Sequence, residues 1–394
     1  WCARGATMSE HVDLAILGGG CAGLSLASAL ASQACTKRVM IIEPRRSYQH
    51  DRTWCFWADA EHAHSAIVSQ SSQRWQVSPT DQVIEHTGSQ ISYQQIRSDD
   101  FYEACLATIA DTPNIQLRQG LYAESVSDRG DRVMVETDAS PISADFIIDT
   151  RPRPPKTDTA AIWQVFSGAE VETEKPCFDV SIAGLMQNMT SDERGLKFTY
   201  TLPVSAHRAL VQTTRFALTR CPPERLDEEF RSDLNDLIDG AVSLHRRERG
   251  CLPMGQTELP TGASSRIMHA GQAAGALRAS SGYGFLRIQA WAQAVARDFV
   301  REQRLVAHPP GSRFESKMDA IFLAALTKSP HAASGWFASL ADKLSGDEFG
   351  RFMSQSTSLD LWLKVVSALP KAPFIRALVA GLPEIERANR RVAI

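Results

Sequence analysis

The sequence predicts an α/β fold: a parallel nucleotide-binding sheet with an inserted β-sheet and a helical C-terminal region. Three observations predict it. A strand, a glycine-rich turn, a helix and a second strand open the chain, and a second glycine-rich loop leads into a helix near residue 285. Segments between them alternate with β periodicity, and from Phe314 the apolar spacing turns helical.

The opening run is "HVDLAILGGGCAGLSLASALASQACTKRVMIIEPRR". Val12 to Leu17 suit a buried parallel strand, Leu24 to Ala34 a closely packed helix, and Val39 to Ile42 a second buried strand ending in Glu43. Gly18, Gly20 and Gly23 fit G-x-G-x-x-G. Gly18 permits a sharp turn, Gly20 lets the backbone approach a pyrophosphate, and Gly23 lets helix and strand pack closely. The helix N-terminus would face the phosphates, and Glu43 would accept hydrogen bonds from unphosphorylated ribose hydroxyls. That leaves NAD and FAD as candidates. Arg45 and Arg46, just beyond, read as a solvated pair.

The choice between them rests on "RIMHAGQAAGALRASSGYGFLRIQAWAQAVARDFV". A short strand, Arg266 to Ala270, precedes a loop with Gly271, Gln272, Gly282 and Gly284, and a helix runs from about Phe285 to Val300. Backbone N–H groups ahead of a helix stabilise negative charge. The arrangement resembles the Gly-Asp-Ala-Ala…Gly-x-Gly loop of aromatic-hydroxylase-like flavoproteins, which implies FAD. In those proteins an acid holds the flavin's ribityl chain, and here Gln272 takes its place without charge. "ADFIIDTRPR" reads as the strand returning to the nucleotide unit, with Asp149 at its end. The expected FAD-binding Rossmann-type domain is discontinuous, over 8–60, 100–155 and 252–305. Residues 61–99 and 156–251 form the substrate-binding β-sheet domain, and 306–394 the helical region.

The 394 residues carry a formal net charge of -3, so no basic field points to nucleic acid. Eight scattered cysteines without a Cys-x-x-Cys pair suit a reducing, cytoplasmic setting. His62 and His64 lack the companions of a metal site. Met8 is the expected start, since Trp1 to Thr7 do not resemble a targeting segment. No apolar run reaches the roughly 20 residues that span a bilayer.

Further segments resemble the flavin-dependent lycopene cyclases of bacterial carotenoid synthesis. They are "DRTWCFW" (Asp51 to Trp57), "VETEKPCFDVSIAGLM", "FTYTLPVS", "LPMGQTELP" and the closing "FGRFMSQSTSLDLWLKVVSALPKAPFIRAL". The resemblance implies a non-redox isomerisation. A proton adds to the ψ end of a linear carotene, the carbocation is attacked by the neighbouring double bond, and proton loss leaves a β-ionone ring. It also implies a flavin active in its reduced form, with NAD(P)H as reductant. Such a site needs a proton donor, support for a cation, and apolar walls.

The strand Arg208 to Leu218 carries Leu210, Gln212, Thr214 and Phe216 on one face, antiparallel to one with Phe198 and Tyr200. At Gln212 the resemblance leads one to expect a glutamate, the family's candidate acid. An amide keeps its shape but carries neither charge nor acidic proton. Gln187 likewise stands where the family often has aspartate. Gln212, Asp51 and Trp54 are therefore the candidate catalytic residues, with Asp51 an alternative acid. Two other readings stay open: an FAD-dependent oxidoreductase of monooxygenase type acting on a carotenoid or other apolar isoprenoid, and a catalytically inactive carotenoid-binding relative.

In the C-terminal region, "MDAIFLAALTK" and "LDLWLKVVSAL" are amphipathic, and Pro370 and Pro373 interrupt before "FIRALVAGL". Burial against the body is the ordinary meaning of such stripes. A polyene substrate dissolved in a bilayer adds a second expectation, peripheral membrane contact through one of these helices.

Overall fold

A computed structural model of the chain describes residues 10–79, 82–152, 161–255, 264–308, 312–354 and 358–379. The expectations for Trp1 to Met8, for 256–260 of "LPMGQTELP" and for the end of "FIRALVAGL" lie outside the described residues.

Parallel strands in the order Ile115–Gln119, Val39–Glu43, Glu10–Leu17, Ile142–Asp149 and Ile267–His269 make the first sheet. The antiparallel pair Ala123–Asp128 and Val133–Thr137 joins at the start of Ile142–Asp149. Alternate residues of Glu10–Leu17 enter two different cores. Leu14 and Ile16 pack with helices Cys21–Ser32, Ser98–Ala110 and Phe285–Glu302, and Ala15 and Leu17 with Val133 and Val135. Burial on both faces is why this strand reads as a continuous apolar run.

The second sheet has seven strands in the order Val242–Met254, Ile162–Thr173, Arg208–Ala217, Gly195–Pro203, Ile182–Asp192, Arg74–Val77 and Ile84–Thr87. Its back face is covered by the helix Asp227–Leu237, whose Phe230 and Leu234 pack on Ala169, Val171, Ala209 and Val211. Asp233 of that helix accepts hydrogen bonds from Thr199, Thr213 and Lys197. The front face carries Leu196, Phe198, Leu202, Leu210 and Phe216 in the largest core cluster, which the C-terminal helices complete.

A third sheet, Thr53–Asp59, Ile91–Arg97 and Gln70–Ser72, lies between the other two. Period-two alternation divides its side chains. Trp54 and Phe56 pack with the nucleotide-side core, whereas Cys55 and Trp57 pack with the core of the large sheet.

Three sequence boundaries shift. A division at 252 would cut Val242–Met254, which pairs with Ile162–Thr173 over its whole length. One between 99 and 100 would cut the helix Ser98–Ala110. Pro373 does not interrupt a helix either. It sits in the first turn of Lys371–Val379, where an N–H has no intrahelical acceptor and its loss costs nothing.

Candidate active site

The two glycine-rich loops converge. Gly18 has φ +95°, and a Cβ at Gly23 would collide with the Gly18 carbonyl oxygen. A Cβ at Gly20 would meet nothing within 4 Å, which leaves the backbone open to a phosphate-sized group. From the other loop, Gly271 (φ +71°) comes so near the same helix that its Cβ would lie 3.2 Å from the Ala22 Cβ. The chemistry of this cradle suits a dinucleotide: open backbone, a helix N-terminus at Cys21, and an acid at the end of the second strand.

That acid, Glu43, is 3 % exposed and accepts the Gly19 amide at 2.6 Å and Arg45 Nε at 2.8 Å. Burial opposes its ionisation, but Arg45 and the Gly19 amide outweigh it and hold the carboxyl below its usual range. Arg45 is therefore not the solvated residue the sequence suggested. It also donates to the Gly19 carbonyl and lies over the Tyr48 and Tyr102 rings. The pattern Glu-x-Arg, with Tyr48 three residues on and Tyr102 far downstream, carried no local signal for this.

Asp51 belongs to the same corner: its carboxylate meets Tyr102 Oη at 3.0 Å and Arg45 Nη1 at 3.3 Å. Trp54 lies against Phe101, Tyr102 and Phe285, with ring centroids 5.1 to 5.8 Å apart. Neither is brought to Gln212. Asp149 pairs with Arg151 at 2.9 Å and with His269 at 3.8 Å. Gln272 is half-buried in the short turn Gly271–Ala274, and the Gly271 amide donates to His308 Nε2 at 2.8 Å.

The second glycine loop reaches the large sheet. Gly282 (φ +76°) abuts Gln164, and Gly284 precedes the helix Phe285–Glu302. Between them Tyr283 sets its hydroxyl beside those of Tyr93 and Tyr200 and packs on Trp57, centroids 5.3 Å apart. Tyr200 is the cross-strand partner of Gln212. Burial pushes all three tyrosine hydroxyls well above their ordinary range, so they are neutral donors and acceptors. Burial likewise pushes the neighbouring Cys55 thiol up to about 12.

Gln212 is half-buried on this front face and donates from Nε2 to Thr214 Oγ1 at 3.1 Å. Phe198 meets Tyr200 and Phe216 edge-on at 5.4 and 5.1 Å, and Phe216 continues to Phe337. Gln187 does not join them. It pairs with Thr199 between two irregularities in the ladder and folds over Gly184, on the face of the sheet that Asp233 binds.

The sequence model of the family described as "Lycopene cyclase protein" matches residues 13–379. The chain belongs to the lycopene cyclase family. Among similar family members, lycopene beta-cyclase of Pseudescherichia vulneris is 26% identical over 297 residues, 72% of this chain and 73% of that one. The chloroplastic lycopene beta cyclase of Nicotiana tabacum is 24% identical over 318 residues, 73% of this chain and 60% of the tobacco protein.

Solved structures extend the likeness of this lycopene cyclase family member at the level of the fold. A geranylgeranyl bacteriochlorophyll reductase-like protein from Thermoplasma acidophilum gives a TM-score of 0.58 at 12% identity, covering 91% of this chain and 96% of that one. Halogenase PltM in complex with phloroglucinol and FAD gives 0.58 at 15% identity, covering 96% and 94%. p-Nitrophenol 4-monooxygenase PnpA from Pseudomonas putida DLL-E4 gives 0.58 at 12%, covering 93% and 98%. The α/β architecture with an inserted sheet and C-terminal helices is thus the one expected.

Proposed function

We propose that this chain is a lycopene beta-cyclase that converts the ψ ends of a linear carotene into β-ionone rings, with FAD bound between its two glycine-rich loops. One observation carries the reading: Tyr283, set between Gly282 and Gly284, touches Tyr200 beside Gln212. A cofactor held by that loop and a polyene on the front face of the large sheet would therefore meet.

The residues that would hold FAD are Gly18, Gly20 and Gly23 at the pyrophosphate, Glu43 at the ribose, and Gly271, Gln272, Gly282 and Gly284 around the flavin, with Asp149 at the strand end. Bound there in reduced form, FAD would supply negative charge and an exchangeable proton, with NAD(P)H as the reductant. The chain's own part is to exclude water and support a cation. Phe198, Tyr200 and Phe216 present rings of the kind that attract a cation by about 0.5–2 kcal/mol each. Gln212 orients by hydrogen bonding and donates no acidic proton. One proton enters and one leaves, so no electrons are consumed.

A substrate route fits the same scheme. An apolar groove opens among the C-terminal helices, between Phe322, Phe352, Trp362 and Phe374, and it is also lined by Arg278, Ser280 and Ser281, next to Gly282. At its mouth Val366, Ile375 and Leu378 are exposed near Lys364, Lys371 and Arg376. Apolar side chains ringed by cations fit an anionic bilayer surface. Among the described residues no helix is long and apolar enough to cross a membrane, and the cysteines are free. The proposal is accordingly peripheral contact from the cytoplasmic side.

Expression in a lycopene-accumulating bacterium, with pigments separated by chromatography, tests the reading. Cyclic product is expected from the parent chain, and several-fold more from Gln212→Glu. Linear pigment alone from the parent, folded and flavin-loaded, would overturn it.

A further inference from the structure

Gln212 is one member of a transverse row. It pairs with Tyr200 on one side and with Gly168 on the other, and Gly168 pairs in turn with Glu248 on the edge strand. Directly opposed residues of antiparallel strands point to the same face. Glu248, Gln212 and Tyr200 therefore stand abreast on the front face, with no side chain from Gly168 between them. A Cβ at Gly168 would lie 2.8 Å from the Gln212 Cα and Cβ, so only glycine fits. Two strand spacings put the backbones of Glu248 and Gln212 about 10 Å apart.

Independent contacts place Glu248 on that face. Its carboxylate receives the Thr53 hydroxyl at 3.1 Å, and Thr53 shares the side of its strand with Cys55 and Trp57, which pack into the core of the large sheet. The neighbours of Glu248 along its strand, Arg247 and Arg249, point the other way, to Asp227 of the covering helix. Glu248 is only 6 % exposed, the same depth as Leu210.

Burying a carboxylate is costly unless it is compensated, and the compensation here is incomplete. Arg246 Nη1 lies 2.6 Å from Glu248, yet its Nε and Nη1 make no aligned hydrogen bond, so this is an ion pair at close range and not a directed bond. The same guanidinium faces a second buried acid, Glu170, at 3.8 Å. Arg208, the other partner of Glu170, is 43% exposed and partly solvated. His50, close by, is held neutral down to about 4 by burial and by Arg246 and Arg97. Glu170 therefore has Arg208 as its nearer cation, at 2.7 Å, whereas among the described residues Glu248 is compensated by Arg246 through an undirected contact, on the face where Gln212 is neutral.

We propose, resting on the cyclase reading, that Glu248 supplies the buried negative charge that stabilises the carbocation of cyclisation. It takes over, from across the strand that carries Gly168, the charge an amide at 212 cannot carry. It acts through space on the cation in the polyene, so no proton need pass through it.

The test uses the full chain in the lycopene-accumulating host, with flavin content and thermal unfolding measured on each purified variant. Glu248→Gln is expected to lower cyclic pigment at least tenfold. Glu248→Asp, which keeps the charge, should retain more. Adding Gln212→Glu to Glu248→Gln should restore product to within a few-fold of the parent, because the charge returns to the same row. Adding Arg246→Gln instead should restore nothing. Glu248→Gln cyclising like the parent would overturn the proposal alone. So would recovery on removing Arg246 without recovery from Gln212→Glu, since Glu248 would then serve only to neutralise Arg246. A parent that yields only linear pigment overturns the cyclase reading itself, a result visible before any Glu248 variant is made.

Discussion

His308 holds the first glycine of the second loop in place by accepting the Gly271 amide on Nε2, while its ring stacks on Trp291 with centroids 4.4 Å apart. Only a ring unprotonated at Nε2 can accept that bond. Burial, then Arg287, lowers its value from the ordinary 6.5 to about 4. Above pH 6.5 the ring is neutral in both folded and unfolded chains, and the stability it contributes is fully present. As the pH falls toward 4, the unfolded chain takes up a proton that the folded ring refuses, and stability is lost. His50 is lowered over the same interval. The thermal unfolding midpoint should therefore drop between pH 6.5 and 4, and His308→Gln should flatten part of that drop. Identical pH profiles for parent and variant would refute the assignment. A histidine near a charged stretch reads locally as a surface residue, so nothing near His308 in the sequence signalled this contact.

At the scale of elements, the helix Gly346–Ser354 is fastened to the turn before Ile91–Arg97 by Asp347, with Arg351 donating to the Gln90 side-chain oxygen beside it. Asp347 Oδ1 accepts the backbone amides of Ser89, Gln90 and Ile91 at 3.0 to 3.3 Å. Despite partial burial, the Ser89 hydroxyl and these amides hold the Asp347 carboxyl below its usual range. The same helix presses Gly350 against Trp57, where a Cβ would approach the indole within 2.6 Å. Trp57 in turn packs on Tyr93 and Tyr283. Gly350→Ala should cost about 1–3 kcal/mol through overpacking and lower cyclisation by displacing Trp57. Asp347→Ala should cost about 2 kcal/mol, since it leaves charge-assisted bonds to three amides unmade. Denaturant unfolding of both variants checks these values, and a change within 0.5 kcal/mol of the parent would show that the helix is not held this way.

Across the whole molecule, exposed apolar side chains gather at one end. Leu359, Leu363 and Val379 are 72%, 69% and 80% exposed, on the two helices whose Val366 and Ile375 line the groove. The chain is near charge balance overall, yet Lys364, Lys371 and Arg376 are all exposed here, and among the described residues only Lys364 has a carboxylate partner, Glu348. Sedimentation with anionic vesicles at low salt should carry the protein down. Leu363→Glu combined with Ile375→Glu should reduce the bound fraction several-fold without changing the unfolding midpoint. Parent protein left in the supernatant would remove membrane contact from the proposal.

What could be read from the sequence was contiguous. The nucleotide turn lies within 36 consecutive residues, with every glycine's role set by its spacing. The strand Arg208–Ala217 and the amphipathic helices followed from periods of two and 3.6 within single segments. Tertiary structure alone decided which distant residues became neighbours. Glu248, Gly168, Gln212 and Tyr200 come from four strands, and the register that aligns them depends on ladder irregularities such as that between Ala169 and Val171. Shifting a register by one residue turns every side chain to the other face, as Gln187 shows by lying on the Asp233 side. Local spacing determines that a strand has two faces. The pairing of whole strands determines which face is the site, and which carboxylate stands beside the amide at 212.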